Sequence, residues 1–168
     1  ILVALGIIFF IAFSFRKVSK PVSSWKYGLI AIVTLIHDIL IPVGVFAFLS
    51  HTYGTEVDTL FVVAVLTILG LSVSDTIVVF DRIRENIRVG NFKTFEETVG
   101  NSLKQVYTRS ITTSSTVIIV LLALVFFGPT STKVFAMMLT AGMFLGTYSS
   151  IFLASPLLVL VNKPRAKK

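Results

Sequence analysis

An all-α, polytopic transmembrane bundle is the fold class this sequence predicts, and three observations predict it. Hydrophobic residues make up 55% of the 168 and charged residues only 14%, against roughly 25% charged in an ordinary soluble domain. Mean hydropathy is +0.92, which excludes both a solvated globule and a disordered chain. The apolar residues also gather into runs near the roughly 20 residues that a helix needs to cross a bilayer core about 30 Å thick. Open strands cannot span lipid and the even alternation of a barrel is absent, so these runs are helices. With no cysteine in the chain, a disulfide framework, a thiolate nucleophile and a zinc–thiolate site are all excluded.

Taken in order, the first run (1–15) is short and lacks the basic flank and cleavage site of a signal peptide. Four more follow at 27–49, 60–80, 108–127 and 134–161, the last interrupted by Pro156. The chain opens at Ile1, already inside an apolar run, and is therefore expected to be a C-terminal piece of a longer protein. The whole of 1–168 reads as a single transmembrane domain, with a helical hairpin at about 81–107 between the third and fourth spans.

Charge orients the five spans. Fourteen of the 15 Lys and Arg residues fall after the first span, between the third and fourth, or at the end of the chain; only Lys133 falls on the other side. By the positive-inside rule the basic side is cytoplasmic, so the N-terminus lies outside and the C-terminus inside. Segment 51–58 carries two acids and no Lys or Arg, as an outside loop should. The same topology accounts for the net charge of +7, so no nucleic-acid partner is expected. The basic tail from Lys163 reads as a stop and anchor for the last span, the other reading being contact with anionic headgroups.

In the hairpin, Phe80, Ile83 and Ile87 continue one apolar stripe beyond the membrane. The motif Asp81-Arg82-Ile83-Arg84-Glu85-Asn86 follows this stripe, with Asp81 placed to pair with Arg84. Gly90-Asn91 ends the helix. Thr94-Phe95-Glu96-Glu97 then has the form of a capping box, opening a helix with Phe95, Val99, Leu103 and Val106 on one face. The hairpin either shapes the inner surface or offers a docking surface for a partner.

Polar residues within the spans carry the functional signal. A charge at a span centre costs about 2.5–3.5 kcal/mol on insertion scales, so such residues face protein or water. Asp38, preceded by His37, lies midway along its span, with Pro42 four residues on and unable to donate to the Asp38 carbonyl. That loosened helix would bind a proton or a small cation at Asp38, or would simply bond a neighbouring helix there. Asp75 lies about one and a half turns from the inner end of its span, among Gly70, Ser72, Ser74 and Thr76, which permit close packing. Arg109, Thr112, Thr113 and Thr116 place one polar face on the fourth span. Arg109 and Asp75 enter from the same side, and an always-charged guanidinium can hold the ionised carboxylate and reorient on its protonation. Gly142 and Gly146 form a G-x-x-x-G packing motif. No hydrolytic, redox, phosphate-binding or metal motif is present, so no enzymatic activity, metal or cofactor is expected.

The segment Ser72-Val73-Ser74-Asp75-Thr76-Ile77-Val78-Val79-Phe80, running into Asp81-Arg82-Ile83-Arg84-Glu85-Asn86, resembles the signature of the SecF family of bacterial protein-export subunits. The His37-Asp38 pair and Thr108-Arg109-Ser110-Ile111-Thr112-Thr113-Ser114 resemble SecF positions as well. The resemblance implies membership of the resistance-nodulation-division superfamily of proton-driven machines and a place in the bacterial inner membrane. It implies a sister subunit, SecD, and association with the SecYEG channel, with SecA and YajC as further partners. It implies use of the proton-motive force to draw translocating preprotein across late in export, with Asp75 on the proton path and Arg109 as its partner. It also implies a first span and an extracytoplasmic domain ahead of residue 1. Two other functions compete with this one: a scaffold that only steadies the channel, and a small-molecule proton antiporter of the same superfamily.

Overall fold

The computed structural model describes residues 24–54, 57–90 and 92–162, together with Gly6, Phe9, Phe10 and Phe13. In chain order its elements are α1 (Ser24–Tyr53), α2 (Thr59–Val89), α3 (Phe95–Phe127), α4 (Thr130–Ser149), a π-helical turn (Ser150–Ala154) and α5 (Ser155–Asn162). Four stretches, Lys26–Thr52, Thr59–Val89, Phe95–Phe127 and Thr130–Asn162, are long and apolar enough to cross a membrane. They match the four longer runs of the sequence. The span expected at 1–15 lies outside the described residues apart from the four named above, and so do the basic segments 16–20 and 163–168.

Length explains the hairpin. At about 1.5 Å per residue, α2 with 31 residues and α3 with 33 each exceed a bilayer core by several turns. The turn between them is set by Gly90, whose φ of 71° and ψ of 25° give a left-handed helix cap, with its N–H donating to the Asn86 carbonyl at 3.1 Å. Thr94 caps α3 by accepting from the Glu97 N–H at 3.2 Å. The capping box is not reciprocal as expected: Glu97 Oε2 accepts from the N–H of Lys93, not of Thr94. The expected Asp81–Arg84 pair is also replaced. Arg82 instead donates to Gln105 of α3 at 2.6 Å, which holds it against Glu85 at 2.5 Å. Asn86 completes the clasp, donating to Ser102 and Gln105 at 2.8 Å each.

Two apolar cores hold the bundle. One, toward the hairpin, joins Tyr27 and Ala31 of α1, Val79, Phe80 and Ile83 of α2, Val99 and Val106 of α3, and Ala154 and Leu158. Lys26 Nζ donates to the Val161 carbonyl at 2.9 Å, tying the start of α1 to the end of α5 at that side. The second core, at the far end, joins Phe46, Ala64, Ile68, Leu121, Met138, Leu139 and Met143. Between the two lies a layer of polar residues.

Pro42 and Pro156 differ in effect. α1 runs unbroken through Pro42, which is buried, so the N–H missing there does not break the helix at Asp38. A missing N–H costs one backbone bond, and Asp38 is held by side-chain bonds to other helices instead. Pro156, by contrast, lies one residue beyond a widened π turn. Its ring would crowd the carbonyl of the preceding turn, and the extra residue of a π turn relieves that contact.

Candidate functional site

The polar layer is built by small residues that let four helical segments meet. Gly146 of α4 sits against Ser72 of α2: a β-carbon there would stand 3.5 Å from the Ser72 side chain and 3.9 Å from Asp38 Oδ2. Gly142 is tighter still, since a β-carbon there would come within 2.4 Å of Ile68. The G-x-x-x-G motif therefore packs α4 on α2, as the sequence suggests, and it also brings the α4 backbone up to a carboxylate.

Asp38 is wholly buried. Its Oδ2 accepts from Ser72 Oγ at 2.5 Å and from Ser149 Oγ at 2.7 Å, while Oδ1 faces His37 Nδ1 at 3.0 Å. Three helices thus converge on one carboxylate. Asp75 is less complete. Its Oδ1 accepts from Ser110 of α3 at 2.9 Å. Its Oδ2 is buried and makes no hydrogen bond, although the Ser150 hydroxyl approaches the carboxyl. The protein thus engages one oxygen of this carboxylate and leaves the other to the space beside it.

Beside Asp75 lies a cavity of about 150 Å³ between α2, α3 and α4, lined by Asp75, Arg109, Ser110, Thr113, Ser114 and Thr147 among others. Its walls offer enough polar groups, and its volume enough room, for several waters. At its side Ser114 and Thr147 bond to each other at 2.5 Å. Asp75 and Arg109 therefore share one chamber, but the ion pairs among the described residues are His37–Asp38 and Arg82–Glu85. In this conformation Asp75 takes Ser110 as its partner.

The other predicted residues divide. Thr113 lines the cavity, whereas Thr112 is exposed beside it and offers its carbonyl to Thr116 Oγ1 at 2.8 Å. Arg82, Glu85 and Asn86 form the hairpin clasp described above. Asp81, Arg84 and Glu85 line a groove on its outer surface. Sequence reasoning gave no site role to Ser149, Ser150 or Thr147, and it placed Ser110 and Ser114 in a motif without a partner for either. Among the described residues no group of three or more His, Cys, Asp or Glu is placed to hold a metal ion.

Comparison with known proteins converges on this architecture. Residues 1–164 match the model of the family described as protein export membrane protein SecD/SecF, C-terminal. The protein translocase subunit SecF of Thermobaculum terrenum is 54% identical over 158 residues, covering 94% of this chain and 49% of that protein. The SecF of Synechocystis sp. is 40% identical over 164 residues, covering 98% of this chain and 50% of that protein. The crystal structure of SecDF from Thermus thermophilus superposes with a TM-score of 0.82 at 36% identity, over 97% of this chain and 21% of that one. A second crystal structure, of SecDF in a super-membrane-facing form, gives 0.80 at 35% identity, over 94% and 20%. The chain thus spans about half the length of the curated relatives it matches. Four membrane-length apolar helices and these relatives make it a multi-pass protein of the bacterial inner membrane. The chain belongs to the SecD/SecF C-terminal family of protein-export membrane proteins.

Proposed function

We propose that this chain is the membrane portion of a SecF subunit that, with SecD, uses the proton-motive force to assist late translocation of preproteins through the SecYEG channel. One observation carries the proposal: Asp75, a carboxylate within a span, lines a polar chamber that also holds Arg109 and is held there by Ser110. A proton arriving through that chamber neutralises the carboxylate. The bond from Ser110 then weakens, and the attraction of Arg109 across the chamber to a charged Asp75 is lost; with Asp75 ionised, Arg109 can turn toward it. Release of the proton restores the first arrangement. One charge falling through ~100 mV yields about 2.3 kcal/mol, enough to bias a bundle whose two states are closely balanced. The work is conformational, and no covalent chemistry is assigned to the chain.

A partner is part of this proposal. Within the membrane, α3 leaves Arg109, Thr112, Thr113 and Thr116 exposed, and it is the least covered of the four spanning helices. Hydroxyls and a guanidinium facing lipid are costly, so equivalent helices of SecD are assigned to this face, with the chamber closed between the two subunits. SecA and YajC are the further partners expected of such a complex.

The test is reconstitution of the full-length subunit with its partner and channel in vesicles. Completion of preprotein translocation is followed with and without an imposed proton gradient. Acceleration by the gradient in the wild type, absent from a normally assembled Asp75→Asn complex, supports the proposal. An equal response in both complexes removes Asp75 from the proton path. No response in either leaves the scaffold function.

A further inference from the structure

The Asp75 chamber accounts for one membrane carboxylate and leaves the other, the wholly buried Asp38, without a task. Asp38 is bonded on every side that the bundle offers, and two of those bonds join different helices to the same oxygen. Ser149, which supplies the α4 bond, stands immediately before the π turn Ser150–Ala154. A serine hydroxyl has one proton to donate, and Ser149 has two acceptors within reach: Asp38 Oδ2 at 2.7 Å and the Gly146 carbonyl at 3.1 Å. That carbonyl already receives the Ser150 N–H and, at 2.8 Å, the Ser150 hydroxyl. Its two lone pairs are taken, so the Ser149 proton goes to Asp38.

The next residue faces the other carboxylate. Ser150 bonds Thr76 of α2 at 3.0 Å and approaches the carboxyl of Asp75, the neighbour of Thr76. With its own proton on Gly146, Ser150 accepts from Thr76. Consecutive serines at the entry to a widened turn therefore face the two membrane aspartates: Ser149 bonds Asp38, and Ser150 bonds the residue next to Asp75. π turns are rare, and they occur mostly as single turns at functional positions, where an extra residue re-aims side chains.

We infer that Asp38 is a positioning residue: through Ser149 it latches the π turn, and the latched turn sets Ser150 and Thr76 beside Asp75. This rests on the proposal that Asp75 is the proton carrier, and it adds a second membrane carboxylate, Asp38, whose task is to fix the first one's surroundings. The charged and titratable groups facing the two carboxylates are each other, His37 of α1 and Arg109 of α3. From α4 and the π turn the facing groups are the Ser149 and Ser150 hydroxyls.

The experiment reads the protonation of Asp75 directly in the full-length complex, as the carboxyl infrared band that Asp75→Asn removes. Three variants are compared with wild type across pH. Ser149→Ala keeps every charge and removes only the latch bond, and it is expected to change the proton affinity of Asp75 by about fivefold, the equivalent of one net hydrogen bond. Ser150→Ala, which removes the group beside Asp75, is expected to move it in the same direction. Asp38→Asn removes the latch and a nearby negative charge together. A shift in Asp38→Asn with none in Ser149→Ala would mean that Asp38 acts only through its charge, and the latch falls. No shift in any of the three also overturns it. If Asp38→Asn does not assemble, Ser149→Ala decides alone, because it loses a single oxygen from the packed layer. Shifts in Ser149→Ala and Ser150→Ala, in a complex whose translocation ignores the gradient, would uphold the latch and sink the transport proposal instead.

Discussion

At the residue scale, the positions that matter are those where a polar group is held inside lipid. Asp38, Asp75 and Arg109 were legible in the sequence because a charge in a span must be explained. Their partners were not: Ser110, Ser149 and Ser150 are ordinary residues in a membrane helix, and only the fold reveals which face a carboxylate. The glycines show the same division. Gly142 and Gly146 were legible as a packing pair, but not the different stringency at each. A methyl at Gly142 would run into a stiff β-branched side chain, Ile68, with three atoms at 2.4–3.0 Å. Gly142→Ala is therefore expected to destabilise the purified protein by about 1–3 kcal/mol, read by unfolding in mixed detergent, and Ile68→Ala in the same chain is expected to recover much of the loss. Gly146→Ala meets only ordinary contacts and is expected to be neutral or slightly stabilising. Equal loss at both positions would contradict this packing.

At the element scale, the hairpin was the most readable part of the chain. Its apolar faces, the Gly90 stop and the Thr94 cap all fall where period and turn chemistry place them. Its polar clasp was not readable, because the pairing of Arg82 and Asn86 with Gln105 joins residues far apart in sequence. Asn86→Ala removes both bonds from that side chain and is expected to cost about 1–3 kcal/mol of local stability. Amide exchange should rise in 80–106 while the membrane portions of α2 and α3 stay protected. Thr94→Ala is expected to cost about 1 kcal/mol and to loosen only the first turn of α3. Exchange that rises throughout both helices would show that the hairpin is not an independent unit. The π turn is the counter-example: Pro156 announced an interruption, but nothing in the sequence tells a π turn from a kink.

At the scale of the whole molecule, apolar cores at two ends enclose a polar layer, and the layer is where work can be done. Four membrane-length helices fall where hydropathy places them, because lipid permits few solutions, and the asymmetry of loop charges predicts their sidedness. The chain has no cysteine, so single-cysteine variants report sidedness cleanly. Lys93→Cys in the hairpin is expected to react with an impermeant thiol reagent only from the cytoplasmic face, and Gly54→Cys only from the opposite one. Reaction of both from one face would refute the topology. The central claim is that Asp75 carries the proton, and the most direct measurement is proton entry into vesicles holding the full complex, with and without a preprotein engaged in the channel. The account predicts proton entry that rises when a preprotein is engaged in the wild type and stays at the background level in Asp75→Asn. Equal entry in the two complexes would contradict it.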